Sequence, residues 1–272
     1  MRFFIFEIGL IDMEHTFVIC AYKESKYLEE CIISLKEQSY KSYIIMETST
    51  PNDYIKGISD KYNIPLCINE GESGITQDWN YALSQVTTRY ATIAHQDDTY
   101  ERDYASRMIA AMKSVKNPII GFSDYTEIRK EQKVYNTQML KIKRLMMLPL
   151  RPRVMWTSRF VRRRVLSMGD PICCPSVCFC LDNVDRPIFN NKYRSCEDWE
   201  AWEKLSKLKG AFVYVSRPLM SHRIHEDSAT TSIINDNARV EENYEMYCKF
   251  WPKVIARFIN KFYTKSEESN KL

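Results

Sequence analysis

Tyr90-Ala91-Thr92-Ile93-Ala94-His95-Gln96-Asp97-Asp98-Thr99-Tyr100 decides the fold of this 272-residue chain. It reads as a short, largely apolar strand that breaks directly into two adjacent carboxylates. Burying Ala91, Ile93 and Ala94 fixes the backbone and stands the acids at the strand's C-terminal end. In open α/β sheets that edge is where ligands bind. Two acids held side by side repel each other unless positive charge sits beside them. A divalent cation carrying phosphate oxygens fits, because Mg²⁺ is usually held by one or two carboxylates plus substrate phosphates. The plainer alternative is a solvated acidic turn that caps the following helix.

Outward from that strand the chain alternates. Residues 16–20 are predicted as a strand, and Ser25 as the cap of a helix whose Leu28, Cys31, Ile32 and Leu35 recur at the 3.6-residue period. Strands follow at 43–46 and 65–68, with helices near 54–62 and 75–86 between them and the opening strand. A helix near 104–112 and a strand at 119–122 continue the series. Strand–helix–strand repetition at this spacing predicts βαβ units and a mainly parallel sheet. Beyond Tyr135 the rhythm fails, so a nucleotide-type half ends there and a substrate-shaping half begins.

Composition narrows the function classes. Apolar residues make up 44% and charged residues 27%, as in an ordinary globular protein, and the net charge is +4. Totals therefore do not indicate a nucleic-acid binder, and no RNA-binding signature accompanies them. Nine cysteines without regular spacing suggest free thiols in a reducing, cytoplasmic setting. The run from Cys173 to Cys180 lacks the second, separated pair that a zinc site needs. No apolar run approaches the ~20 residues of a membrane span. Residues 1–11 are read either as an extra edge strand or as an artefact of an early start, with Met13 the true beginning.

The first strand runs into Cys20-Ala21-Tyr22-Lys23-Glu24, with no glycine cluster to let backbone approach a pyrophosphate. If this sheet binds a nucleotide, a metal on the two acids after Gln96 is the better holder of its phosphates. Arg194-Ser195-Cys196-Glu197-Asp198-Trp199 opens a second candidate element, a helix with Trp199, Trp202, Leu205 and Leu208 along one stripe. Ser195 and Asp198 are spaced as a capping box. The functional alternative is that Glu197 or Asp198 projects into a cleft as a base for an attacking hydroxyl. Ser221-His222-Arg223-Ile224-His225-Glu226-Asp227-Ser228 is weak as a metal pattern. It suits either a loop near phosphate or a solvated polar turn.

Taken in order, residues 18–24, 34–39, 80–83, His95-Gln96-Asp97-Asp98 and Cys196-Glu197-Asp198-Trp199 resemble the family 2 glycosyltransferases of GT-A fold over residues 15–230. The resemblance implies an inverting, nucleotide-sugar-dependent enzyme of α/β architecture using Mn²⁺ or Mg²⁺. It implies a nucleotide-sugar-binding half at 13–135, an acceptor and catalytic-base half at 136–232, and a helical tail at 233–272. Asp98, with Asp97, stands where the family holds its metal, and Asp198 where it holds its base. Donor-binding positions implied in the same way are Ala21, Tyr22, Glu24, Glu47, Ser49, Asn80, Gln96, Asp97, Arg223 and His225. The chain departs from the pattern at Met46-Glu47, where relatives often carry two aspartates, and at His95 and Trp79, where they often carry aspartate and arginine. Glu47 can still accept a hydrogen bond from uracil N3–H.

Between Lys141 and Arg164 nine basic residues interleave with apolar and aromatic ones, with no acid among them. This suits an anionic, partly greasy partner, such as a lipid-pyrophosphate acceptor at the inner face of a bacterial membrane, or else a basic helix packed on the sheet. Ser176, in a Pro-Ser-Val strand, is expected on the acceptor side. A terminal helix is expected to start at Asn235 or Asp236 and to break at Pro252. It can lie on a membrane, pair with another subunit or close the fold. The implied activity is transfer of a sugar from a nucleotide donor, UDP-linked by the resemblance, to a growing capsule, lipopolysaccharide or other surface glycan. The alternative is an inactive nucleotide-sugar-binding relative with a structural or regulatory role.

Overall fold

A computed structural model describes residues 13–225 and 238–268 of the chain. The expected edge strand at 1–11, the residues after His225 and the proposed helix start at Asn235 or Asp236 lie outside them. The described chain is a single nine-stranded sheet flanked by helices. Strands β1 (His15–Cys20), β2 (Tyr43–Thr48), β3 (Leu66–Ile68) and β4 (Tyr90–His95) pair in parallel, in the order β3-β2-β1-β4. Their crossovers are α1 (Leu28–Lys36), α2 (Asp53–Tyr62) and α3 (Ile75–Ser84). The periodic residues named above, Leu28, Cys31, Ile32 and Leu35, are the buried face of α1.

Ser25 does not cap α1. The N-cap is Tyr27 without a side-chain bond, and the Ser25 hydroxyl donates instead to Asp97. After β5 (Thr99–Tyr100) and α4 (Tyr104–Lys113) comes β6 (Pro118–Arg129), followed by the short β7 (Gln132–Val134). The sheet continues past β4 as β8 (Val177–Cys180), β6, β9 (Ala211–Ile224) and β5. β8 runs antiparallel to both β4 and β6, so the run of parallel pairs breaks at β4 and returns between β6 and β9. One sheet therefore spans both predicted halves, and β9 carries residues 222–224 back beside the end of β4.

The basic run divides between α5 (Gln138–Met147), short 3₁₀ turns and α6 (Arg159–Leu166). Its three consecutive arginines are not a docking surface. Arg162 is fully buried and donates to the carbonyls of Ser206, Leu208 and Gly210 after α7 (Glu197–Leu205). Arg163 pairs with Glu203, and Arg164 lies over the rings of Phe160 and Trp251. The chain at 206–210 thus finds its hydrogen-bond donors in a neighbouring helix rather than in water.

The tail forms α8 (Ala238–Cys248) and α9 (Lys253–Glu268), broken at Pro252 as predicted. Met246, Tyr247 and Ala256 enter the main core, so the tail closes the fold. Every cysteine among the described residues is a free thiol, as composition implied.

Candidate functional site

The C-terminal ends of β1, β2 and β4 are tied together by side chains. Gln96 clasps the Tyr22 peptide from both sides, accepting from its N–H and donating to its carbonyl, each at 3.0 Å. The Lys23 N–H donates to the Thr50 hydroxyl at 2.8 Å, and Ala21 N–H to the Glu47 carbonyl. Lys23 sits at φ 54°, a left-handed turn held by these contacts. Ala21 is buried beneath this loop, while Tyr22 and Glu24 are exposed on it. Gln96 thus fixes the loop against the end of β4.

Under the loop lies a buried acid cluster that the sequence showed only in part. Glu47 is 1% exposed, and among the described residues its carboxyl meets only the weak donor of the Cys20 thiol. Burial, and then the charge of Asp78, push its carboxyl up to about 8. Asp78 accepts from Ser49 at 2.8 Å and from Asn69 at 3.0 Å, making it the hub of this corner. Sequence reading passed over Asp78. Its signal was its place in the first turn of α3, just before Trp79-Asn80. Asn80 stands two residues further along α3. Its amide donates to the Phe189 carbonyl and accepts from the N–H groups of Ile188 and Phe189, so it pins that loop. Trp79, standing where an arginine was expected, stacks on His95 with centroids 5.3 Å apart.

At the end of β4 the two acids are held by different partners. Asp97 accepts from Ser25 at 2.8 Å and pairs with His225 at 3.1 Å. Asp98 accepts from the Arg223 N–H at 2.9 Å and pairs with His222 Nδ1 at 3.0 Å. Burial pushes the Asp98 carboxyl up, but the charge and hydrogen bond of His222, the charge of His95 and the Arg223 N–H outweigh it and hold it below the ordinary range. In return Asp98 raises His222 against the effect of burial.

Arg223 lies behind the two acids. It is 2% exposed, donates to the Asp97 carbonyl, pairs with Glu30 and Glu131, and lies 4.1 Å from the Tyr27 ring centroid. It braces the acid motif through these contacts.

The donor chemistry of this corner suits a hard or borderline divalent cation. Two carboxylates stand together, and the buried His95 Nε2 has no hydrogen-bond partner. Among the described residues no three His, Cys, Asp or Glu side chains converge into a metal cage. A cation held here needs oxygens from a ligand to complete its shell, which is how Mg²⁺ is commonly bound with phosphates.

The capping box at α7 does not form. Cys196 is the N-cap without a side-chain bond, and Ser195 donates to Glu242. Asp198 accepts its neighbour's N–H, from Trp199 at 2.8 Å, and shares a hydrogen bond with the Asp170 carboxyl. His95, at the end of β4, and Cys173 each feel the charges of both Asp98 and Asp198, so the start of α7 lies near the acid motif. Beside Asp198 stand Glu197, buried, and Asp170, a carboxyl that sequence reading missed because the pairing is purely tertiary. Burial and then the charge of Asp198 raise Glu197 to about 8 and push Asp170 well above the ordinary range. Ser176, expected on the acceptor side, is fully buried and donates to the Cys173 carbonyl.

An α/β sheet with paired acids at the end of β4 and a carboxylate at the start of α7 defines a glycosyltransferase architecture of GT-A type. The sequence model of Glycosyl transferase family 2 matches residues 16–189, more than half of the chain, and the chain belongs to that family. An uncharacterised glycosyltransferase of Haemophilus influenzae is 23% identical over 267 residues, 90% of this chain and 74% of that one. Glycosyltransferase GlyA of Streptococcus pneumoniae is 26% identical over 104 residues, which cover 36% of this chain and only 15% of GlyA. Among solved structures, S. aureus TarS 1–349 in complex with UDP-GlcNAc superposes with a TM-score of 0.62 at 15% identity, covering 91% of this chain and 70% of that one. The mannosyltransferase PcManGT from Pyrobaculum calidifontis, in complex with GDP-Man and Mn²⁺, gives 0.61 at 14% identity, covering 94% and 73%. At such identities the superpositions establish the fold.

Proposed function

We propose that the chain is an inverting transferase that moves a sugar from a UDP-linked donor to a hydroxyl of a glycan or lipid-linked glycan. The observation that carries this reading is that Glu47, the Asp97-Asp98 pair and Asp198 come from three separate elements to one sheet edge. Glu47 sits where a base is read, and its raised carboxyl is neutral at pH 7. A neutral carboxyl donates one hydrogen bond and accepts another, matching uracil's carbonyl and N3–H side by side. Guanine offers two adjacent N–H donors and calls for an ionised carboxylate instead. The ligand in the TarS structure is a UDP-sugar and that in PcManGT a GDP-sugar, so both chemistries occur on this fold.

Asp97 and Asp98 would hold a divalent cation together with the diphosphate, and the cation would offset charge on the leaving group. Asp198 takes the proton of the acceptor hydroxyl as its oxygen attacks the anomeric carbon. The bond from that carbon to the diphosphate breaks on the opposite face, and its electron pair leaves with the nucleotide. Burial and the charge of Asp198 keep Glu197 and Asp170 protonated beside it.

Asp198→Asn keeps shape and hydrogen-bond acceptance but not proton acceptance. Transfer should fall ~10²–10⁴-fold, the share of a positioned base, with melting temperature and UDP affinity unchanged. Full-rate transfer by this variant would end the base assignment, and a product with retained anomeric configuration would end the inverting one.

A further inference from the structure

The C-terminal helix shows solvent its apolar side. Ala256 and Asn260, one turn apart, are buried against the body of the protein. Val254, Phe258 and Phe262 also lie four residues apart, two positions offset, and so run along nearly the opposite side of the helix. They are 82%, 66% and 60% exposed, and the rings of Phe258 and Phe262 touch with centroids 4.7 Å apart. Lys253, Arg257 and Lys261 are exposed along the same helix, and no acid occurs from Met246 to Ser266.

A second stretch has the same character. Leu145, Val154 and Phe160 are 65%, 74% and 72% exposed. Arg151, Arg153 and Arg159 are exposed among them, and no acid occurs from Gln132 to Gly169. The two stretches meet. The Arg164 guanidinium lies 5.7 Å from the Phe160 ring centroid and 4.6 Å from that of Trp251. Trp251 donates its indole N–H to the Ser167 carbonyl at 2.8 Å, and Pro252 then opens α9.

A helix that is basic and solvated turns its charges outward and its apolar side inward, whereas α9 shows solvent both its charges and its phenylalanines. A second copy of the chain is disfavoured as the cover, because a two-fold contact would set this acid-free basic face against itself. An anionic bilayer satisfies both properties at once, taking the phenylalanines into the interface and the lysines and arginines against lipid headgroups. We propose that α9 and the 145–160 stretch form one membrane-docking face for anionic lipid, with α9 lying in the plane of the interface. The proposal stands on this surface alone and holds whether or not the donor and base assignments do.

Flotation of the full chain with vesicles tests it without any activity measurement. Binding to phosphatidylglycerol-containing vesicles should be strong at low salt, weak on pure phosphatidylcholine, and reduced by salt. The double change Phe258→Glu and Phe262→Glu should lower partition about tenfold or more. Lys253→Glu and Arg257→Glu should lower it about fivefold for each basic residue removed. Brominated phosphatidylglycerol should quench Trp251 fluorescence in the unaltered protein, a readout that no folding defect in a variant can disturb. Equal recovery with anionic and neutral vesicles together with no quenching would overturn the proposal. So would a concentration-dependent dimer in sedimentation that Phe258→Glu dissolves.

Discussion

Glu47 and Asp198 are the two carboxyls to which the proposal gives different tasks. Glu47 is enclosed with Asp78 close by, so its neutral form is favoured far above the ordinary carboxyl range. Its folded pKa of about 8 lies above the ordinary 4.5, so the folded state holds an extra proton between those values. Stability from this group is complete below about pH 4.5 and is lost as pH rises through about 8. The amide of Glu47→Gln copies the neutral acid's donor and acceptor. The variant should keep UDP affinity at pH 7 and gain melting temperature relative to the unaltered protein at pH 8, with little gain at pH 5. Paired melting curves and UDP titrations at the two pH values check this. A tenfold or greater loss of UDP affinity at pH 7 would show that an ionised acceptor is required instead.

Among the elements, α6 and α7 depend on each other through Arg162. Removing that guanidinium leaves the carbonyls of Ser206, Leu208 and Gly210 without it, inside a packed layer. Arg162→Met should cost about 3–5 kcal/mol, the range for removing one partner from a buried charged contact, measured by urea unfolding. A cost below about 1 kcal/mol would mean that water replaces the side chain. This arginine also marks where sequence reading stopped. β1 to β4 and α1 to α4 were legible because each strand is apolar and each helix keeps a 3.6-residue stripe. Arg162 was not, because a basic run reads the same whether its charges meet solvent or backbone carbonyls. The acid motif and Asp198 were legible from local order. Asp78, Asp170 and the bracing role of Arg223 were not, since each depends on partners brought together only by the folded sheet.

At the scale of the molecule, one sheet joins the corner of Glu47 and Asp78 to the acids at the end of β4. The reversal at β8 lets both halves share a single edge, and β9 returns His222 and Arg223 to support the acids at the end of β4. The central claim is that this edge binds and cleaves a nucleotide-sugar through Asp98. The most direct test is release of nucleoside diphosphate from UDP-, GDP- and dTDP-sugars with Mn²⁺ and a glycan acceptor mixture, comparing the unaltered protein with Asp98→Ala. The account predicts UDP release from a UDP-sugar by the unaltered protein. It predicts a fall of about 10²-fold or more in Asp98→Ala, the order of losing one electrostatic stabiliser. Release from none of the donors, or equal release by the two proteins, would contradict it.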